Sequence, residues 1–161
     1  MTPNSIVKVI LMAEDDPDDI YLISEAIDEC KMDARLILVQ DGDELLDYLQ
    51  HQGVFADEKA NPRPDLILLD LNMPRKDGRE ALQEIKAHPD LRSIPVVVLT
   101  TSKAEEDLER SYGFGASGFI TKPVSFNGLR EMICNIGTYW LGTVRLPLAH
   151  PQPGEGDQEE D

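Results

Sequence analysis

Apolar residues along this chain gather into short runs, and most of the runs stop at a polar group. Residues 6–13 (IVKVILMA) stop at Glu14-Asp15-Asp16, and 36–40 (LILVQ) lead into Asp41-Gly42. Residues 66–69 (LILL) stop at Asp70, 94–99 (IPVVVL) at Thr100-Thr101, and the weaker 118–121 (GFIT) at Lys122-Pro123. Short aliphatic, β-branched runs without alternation predict strands buried on both faces. Between them, apolar positions recur at helical spacing. Ile20, Ile23, Ile27 and Cys30 mark a first helix, with Asp16 suited to its N-cap and Pro17 to its first turn. Leu45, Leu46 and Leu49 mark a second, and Leu82 and Ile85 a third after Asp77-Gly78. Leu108 and Tyr112 give a weak fourth, while Leu129, Met132, Ile133, Ile136 and Trp140 give a clear fifth.

Alternation of strand and helix predicts an α/β fold, a parallel sheet with helices on both faces. Right-handed crossovers leave few topologies, and this count and length fit the flavodoxin-like, doubly wound order 2-1-3-4-5. One domain over 1–146 is expected, including an apolar arm at 139–146, followed by an acidic, disordered tail at 147–161. The connection 51–64 (HQGVFADEKANPRP) is long for its place and is expected to be a solvated insertion.

Composition narrows the function. With 41% hydrophobic residues the chain can bury a core, and no apolar run is long enough to span a membrane. No secretory signal pattern opens the sequence. The net charge of −16 argues against a broad electrostatic grip on nucleic acid or on anionic lipid. Glu155, Asp157, Glu159, Glu160 and Asp161 supply only part of it. The cysteines, Cys30 and Cys134, are too few for a disulfide framework. Both fall at apolar helix positions, so core packing in a reducing cytoplasm is expected.

In open parallel sheets ligands sit beyond the carboxyl ends of the strands. Those ends offer Glu14 and Asp15, then Asp70, Thr100 and Lys122, and the order 2-1-3-4-5 makes them neighbours. Several carboxylates in one cleft need a counter-cation, and a hard divalent ion such as Mg2+ suits carboxylate and phosphate oxygens. A carboxylate beside such an ion can attack phosphorus and form an acyl phosphate. The Thr100 hydroxyl and Lys122 ammonium are suited to hold phosphoryl oxygens. Asp16, Asp18 and Asp19 are expected only to complement the dipole of the first helix.

Four segments, Glu14-Asp15, LILLDLNMPRKDG at 66–78, VVVLTTS at 96–102 and GASGFITKP at 115–123, together resemble the receiver domain of two-component response regulators. The resemblance implies that Asp70 is the phosphoacceptor for a histidine kinase. It implies that Glu14, Asp15, Asp70 and the Asn72 backbone carbonyl hold Mg2+, or Mn2+ or Ca2+ in the same place. Thr100 and Lys122 would bind the phosphoryl group, across a cis bond to Pro123. Phe119 would be the aromatic switch that follows Thr100, and Ser102 and Asn72 would tune dephosphorylation. The weak fourth helix, with Gly113 and Gly115 behind it, would be the element such a switch biases.

After Pro123 only one further helix fits, so a receiver without an output domain is expected, acting by binding. Tyr139, Trp140, Leu141, Val144 and Leu146 form the apolar arm, read as a partner surface exchanged between two subunits. This arm, the 51–64 insertion and the EDDPDD opening resemble the small response regulators paired with cyanobacterial and bacterial phytochromes. That likeness implies a homodimer and a red/far-red-sensing histidine kinase partner. A phosphorelay carrier or a phosphorylation-independent binding module are the alternatives. A haloacid-dehalogenase-type phosphatase needs a second aspartate where this chain has Asn72. No enzymatic turnover beyond the domain's own phosphoryl chemistry is expected.

Overall fold

The computed structural model describes residues 7–101, 104–143 and 146–147. Ser102, Val144 and nearly all of the acidic tail therefore lie outside the described residues. The strands are β1 (Lys8–Ala13), β2 (Ala34–Val39), β3 (Leu66–Leu69), β4 (Val96–Thr100) and β5 (Gly118–Thr121). The helices are α1 (Pro17–Glu29), α2 (Gly42–Gln50), α3 (Gly78–Ala87), α4 (Glu105–Gly113) and α5 (Phe126–Ile136). All pairings are parallel and the order is β2-β1-β3-β4-β5, as the alternation predicts.

Successive side chains of a strand point to opposite faces, so a sheet covered on both sides needs uninterrupted apolar runs. Leu11, Ala13, Ile67, Leu69, Val96 and Val98 enter one core with Leu45, Tyr48, Leu82 and Ile85 of α2 and α3. Ile10, Met12, Leu66, Leu68, Val97 and Leu99 enter the other with Ile23, Ile27, Leu129 and Ile133 of α1 and α5. The expectation of burial on both faces holds for β1, β3 and β4 but not for β2, where Leu38 is 39% exposed, nor for β5, whose residues are all half-buried. Their positions at the two sheet edges account for this: each has a neighbouring strand on one side only.

Local chemistry sets the helix starts. Asp16 accepts from the Asp18 N–H, Asp41 from Glu44, Asp77 from Arg79 and Glu80, and Ser125 from Gly128. Each satisfies a donor that the first turn leaves unpaired. Helix α4 has no such side-chain cap at Ala104 and buries only Ser111. Gly78 has a packing reason: a Cβ there would lie 2.3 Å from the Asp70 carbonyl oxygen.

The 51–64 connection is largely solvent-exposed, as expected of a solvated insertion, and carries a 3-10 turn at Gly53–Phe55. Tyr48 Oη donates to the Pro62 carbonyl at 2.7 Å, and His51 Nε2 lies 2.8 Å from the Asn61 carbonyl oxygen. One feature differs from the sequence expectation: Cys30 and Cys134 are not separate core residues but a disulfide between the end of α1 and α5. Both are only half-buried, because they sit at the rim of the α1–α5 contact rather than within it.

Beyond α5 the chain continues as a wider, π-helical stretch, Gly137–Thr143. Trp140 and Leu141 are half-buried against the α1–α5 core of their own domain, while Tyr139 is 54% exposed. Leu146 is half-buried.

The disulfide spans a sequence separation of 104, so its loss should show in the unfolding equilibrium. Cys134→Ser should lower the stability of the oxidised protein by about 2–4 kcal/mol. In urea titrations, a reductant should lower the wild-type midpoint to that of the variant and leave the variant unmoved. A wild-type midpoint indifferent to reductant would refute the link's contribution.

Candidate functional site

Strand register assembles the site. Ala13 pairs with Leu69, so the residues that follow, Glu14 and Asp70, leave the sheet side by side. The Asp70 N–H donates to the Ala13 carbonyl at 3.1 Å, and the Glu14 N–H to Val39 at 3.0 Å. Thr100 pairs with Thr121, and the Lys122 N–H donates to the Thr100 carbonyl at 2.7 Å. The predicted neighbours Glu14, Asp15, Asp70, Thr100 and Lys122 thus meet at one end of the sheet, at the crevice where strand order reverses.

Apart from exposed Asp15, these groups are buried: Glu14 is 2% exposed, Asp70 6%, Thr100 0% and Lys122 9%. Carboxylate oxygens of Glu14, Asp15 and Asp70 all lie within 4.8 Å of one another. Lys122 Nζ donates to Glu14 Oε1 at 2.5 Å and lies 3.8 Å from Asp70 Oδ2. The Asn72 N–H donates to Asp70 Oδ1, and Asn72 Nδ2 to Thr100 Oγ1, both at 3.3 Å. Phe119 is half-buried on β5 and packs against the α2–α3 core.

The Lys122–Pro123 bond is trans, where the resemblance implies cis. Trans is the lower-energy X–Pro isomer, by about 0.5–1 kcal/mol, and from it Lys122 reaches its carboxylate partners. Sequence reasoning also missed Asp19, whose Oδ2 accepts from Lys122 Nζ at 2.8 Å. Asp16, Asp18 and Asp19 share one helical turn, and nothing in their spacing marks which of them faces the strand ends. A fork from Arg79 to Asp107, at 3.1 and 3.0 Å, ties α3 to α4 and was likewise not foreseen.

Burial dominates the electrostatics. Desolvation, opposed by the Lys122 hydrogen bond and reinforced by the Asp70 charge, pushes the Glu14 carboxyl from 4.5 up to about 7. Desolvation also raises Asp70, against the pull of Lys122. For Lys122, desolvation favours the neutral amine, but hydrogen bonds to Asp19 and Glu14 outweigh it and raise its pKa. Clustered carboxyl oxygens whose charges burial disfavours are the donor set that suits a hard divalent cation.

A receiver fold with an acidic pocket at its strand ends defines the class: the chain belongs to the response regulator receiver domain family, whose pattern covers residues 10–134. Its relatives include response regulator Rcp1 of Synechocystis sp., 46% identical over 142 residues, or 88% of this chain and 95% of Rcp1. The phosphorylated cyanobacterial phytochrome response regulator RcpA shares 43% identity, with a TM-score of 0.84 over 89% of this chain and 100% of that one. The Mn2+-bound form of Rcp1 superposes with a TM-score of 0.81 at 46% identity, covering 88% and 99%. The response regulator RPA3017, in red light signalling of R. palustris, superposes at 0.83 with 32% identity, covering 88% and 99%.

Glu14 titrates near 7 in the folded chain and at 4.5 when unperturbed, so the fold retains a proton between those values. A group with a raised carboxyl pKa stabilises the metal-free fold on the acid side, and this contribution is lost as pH rises from about 4.5 to 7. A divalent cation seated on these carboxylates would need Glu14 ionised and would expel that proton. Divalent-cation affinity should therefore weaken by about tenfold per pH unit below 7 and level off above it. Calorimetry in buffers of different ionisation enthalpy should detect the released proton at pH 6 and much less of it at pH 8. Affinity independent of pH across this range would contradict the assignment of the buffered proton to the pocket.

Proposed function

We propose that the protein is a phosphorylation switch in which Asp70 takes a phosphoryl group from a histidine kinase. The observation that carries this reading is the convergence of Asp70 with Glu14, Asp15, Thr100 and Lys122 in one buried pocket. An Asp70 carboxylate oxygen attacks phosphorus, the bond from phosphorus to the kinase imidazole nitrogen breaks, and that nitrogen keeps the electron pair. Glu14, Asp15, Asp70 and the Asn72 carbonyl would hold Mg2+, with Mn2+ or Ca2+ able to take its place. The bound ion would offset charge on the transferring group. Lys122 and Thr100 bind phosphoryl oxygens, and Phe119 follows Thr100 into the space it leaves. The chemistry is otherwise positioning and charge stabilisation, with no turnover of an outside substrate.

The upstream partner in this reading is a phytochrome-type histidine kinase. Its support is the naming of RcpA as a phytochrome response regulator and the likeness to bacteriophytochrome response regulators such as RtBRR, 37% identical with a TM-score of 0.71. The output is a homodimer or partner surface on α4, β5, α5 and the segment 139–146, to which exposed Tyr139 contributes. The formal charge of −16 disfavours nucleic acid as that partner. Among the described residues no helix is long and apolar enough to cross a membrane. A cytoplasmic site of action goes with a histidine kinase partner, and there the cellular thiol pool works against the Cys30–Cys134 bridge.

Incubation with acetyl phosphate and Mg2+ should add one phosphoryl group by intact mass, and Asp70→Asn should abolish it. Light scattering on the same samples reads the oligomeric state. An unmodified wild-type chain would overturn the reading. Helix α4 buries little and lacks a side-chain cap, so it is the element a pocket event most easily shifts. Phosphorylation should change amide exchange across residues 105–113 more than across α1, and equal, unchanged exchange in both would remove α4 from the switch.

A further inference from the structure

The first turn of α1 brings to Lys122 a carboxylate that the roles above leave unused. Lys122 Nζ has Glu14 Oε1 at 2.5 Å and Asp19 Oδ2 at 2.8 Å, but Asp70 Oδ2 only at 3.8 Å. The ammonium is hydrogen-bonded to two anions, and the proposed phosphoacceptor is neither of them. Its side chain is 6% exposed, so these contacts act in a partly desolvated space where charge–charge terms are strong.

The two anions differ in what else they do. Glu14 belongs to the carboxylate group whose oxygens lie within 4.8 Å of one another, and Asp19 does not. A cation that draws on Glu14 therefore competes with Lys122 for it and leaves Asp19 as the standing partner of the ammonium. Asp16 of the same turn is occupied as the N-cap, and Asp18 is exposed to solvent. Asp19 is the member of the turn that faces the pocket.

We propose that Asp19 is a positioning residue acting through Lys122: it holds the ammonium on the α1 side of the pocket and competes with a phosphoryl group on Asp70 for it. The proposal rests on the reading of Asp70 as phosphoacceptor. A phosphoryl oxygen offers Lys122 a new acceptor, and the ammonium must yield part of its bond to Asp19 to take it. Asp19 thereby sets how far the unphosphorylated arrangement is favoured, and the cost of displacing it appears in the affinity for any phosphoryl-like anion.

The test uses the full chain with Mg2+ and beryllium fluoride, a tetrahedral stand-in for the phosphoryl group, titrated by calorimetry. Asp19→Asn keeps the shape and removes the charge, and should tighten beryllium fluoride binding by about threefold to tenfold. Asp19→Glu restores the charge and should return the affinity toward wild type. Asp18→Asn makes the same change in net charge one residue away and should leave it unmoved. Urea titration of each variant reads stability separately, which a merely structural role would alter without changing anion affinity. Wild-type protein that binds no beryllium fluoride would defeat the phosphoacceptor reading itself. Wild-type binding with an unchanged or weakened Asp19→Asn affinity, or an equal shift in Asp18→Asn, would defeat the role of Asp19 alone.

Discussion

Burying like charges together is the constraint around which this molecule is arranged. Glu14 and Asp70 leave adjacent strands side by side, both nearly inaccessible; desolvation raises the pKa of each, and the Asp70 charge adds to the rise at Glu14. One fixed cation, Lys122, answers part of that charge at 2.5 Å from Glu14. Lys122 is itself pulled toward neutrality by burial, and its hydrogen bonds to Glu14 and Asp19 keep it charged. The group is thus mutually dependent: remove the ammonium and the carboxylates hold protons, remove the carboxylates and the amine loses its reason to be charged. The remaining deficit is what makes the pocket receptive to a divalent ion.

The rest of the fold supplies a rigid frame for that arrangement. Strands β1, β3 and β4 are apolar on both faces, so a one-residue slip would exchange every core side chain between the two helical layers. Register is consequently fixed, and with it the spacing of Glu14, Asp70 and Thr100. The Asp77-Gly78 pair closes the site from behind: Asp77 caps α3, and Gly78 lets that helix begin against the Asp70 carbonyl, where a methyl group would collide. By contrast α4 is held by a fork between Arg79 and Asp107 and by little buried surface. A polar tether of this kind holds its helix with less buried surface than a packed core does.

Most of this was legible in the sequence for a physical reason. A strand buried on both faces must be apolar throughout, so the polar residue that ends it is conspicuous, and parallel order puts such ends on one side. What was not legible depended on tertiary placement. Asp16, Asp18 and Asp19 are chemically alike at a helix start, and only the docking of α1 selects Asp19 to meet Lys122. Cys30 and Cys134 lie 104 residues apart, and their pairing follows from how the ends of α1 and α5 approach each other. The 36–40 run is as apolar as the others, but as an edge strand β2 has only one neighbour.

Lys122 also connects the pocket to the far end of the molecule. It follows directly on β5, and three residues later Ser125 caps α5, whose buried Leu129, Ile133 and Ile136 lock it to the α1 layer. Gly137 continues the helix against the flexible end of the Met32 side chain, close to the α1–β2 turn. Trp140 and Leu141 then pack on the same core, with Tyr139 turned outward. Because α5 is fixed along one face, Lys122 turns toward Asp70, 3.8 Å away, by rotation of its own flexible four-carbon side chain and not by sliding of the helix. The ammonium can therefore change partners on a fixed backbone, beside a strand whose Phe119 packs on the opposite core.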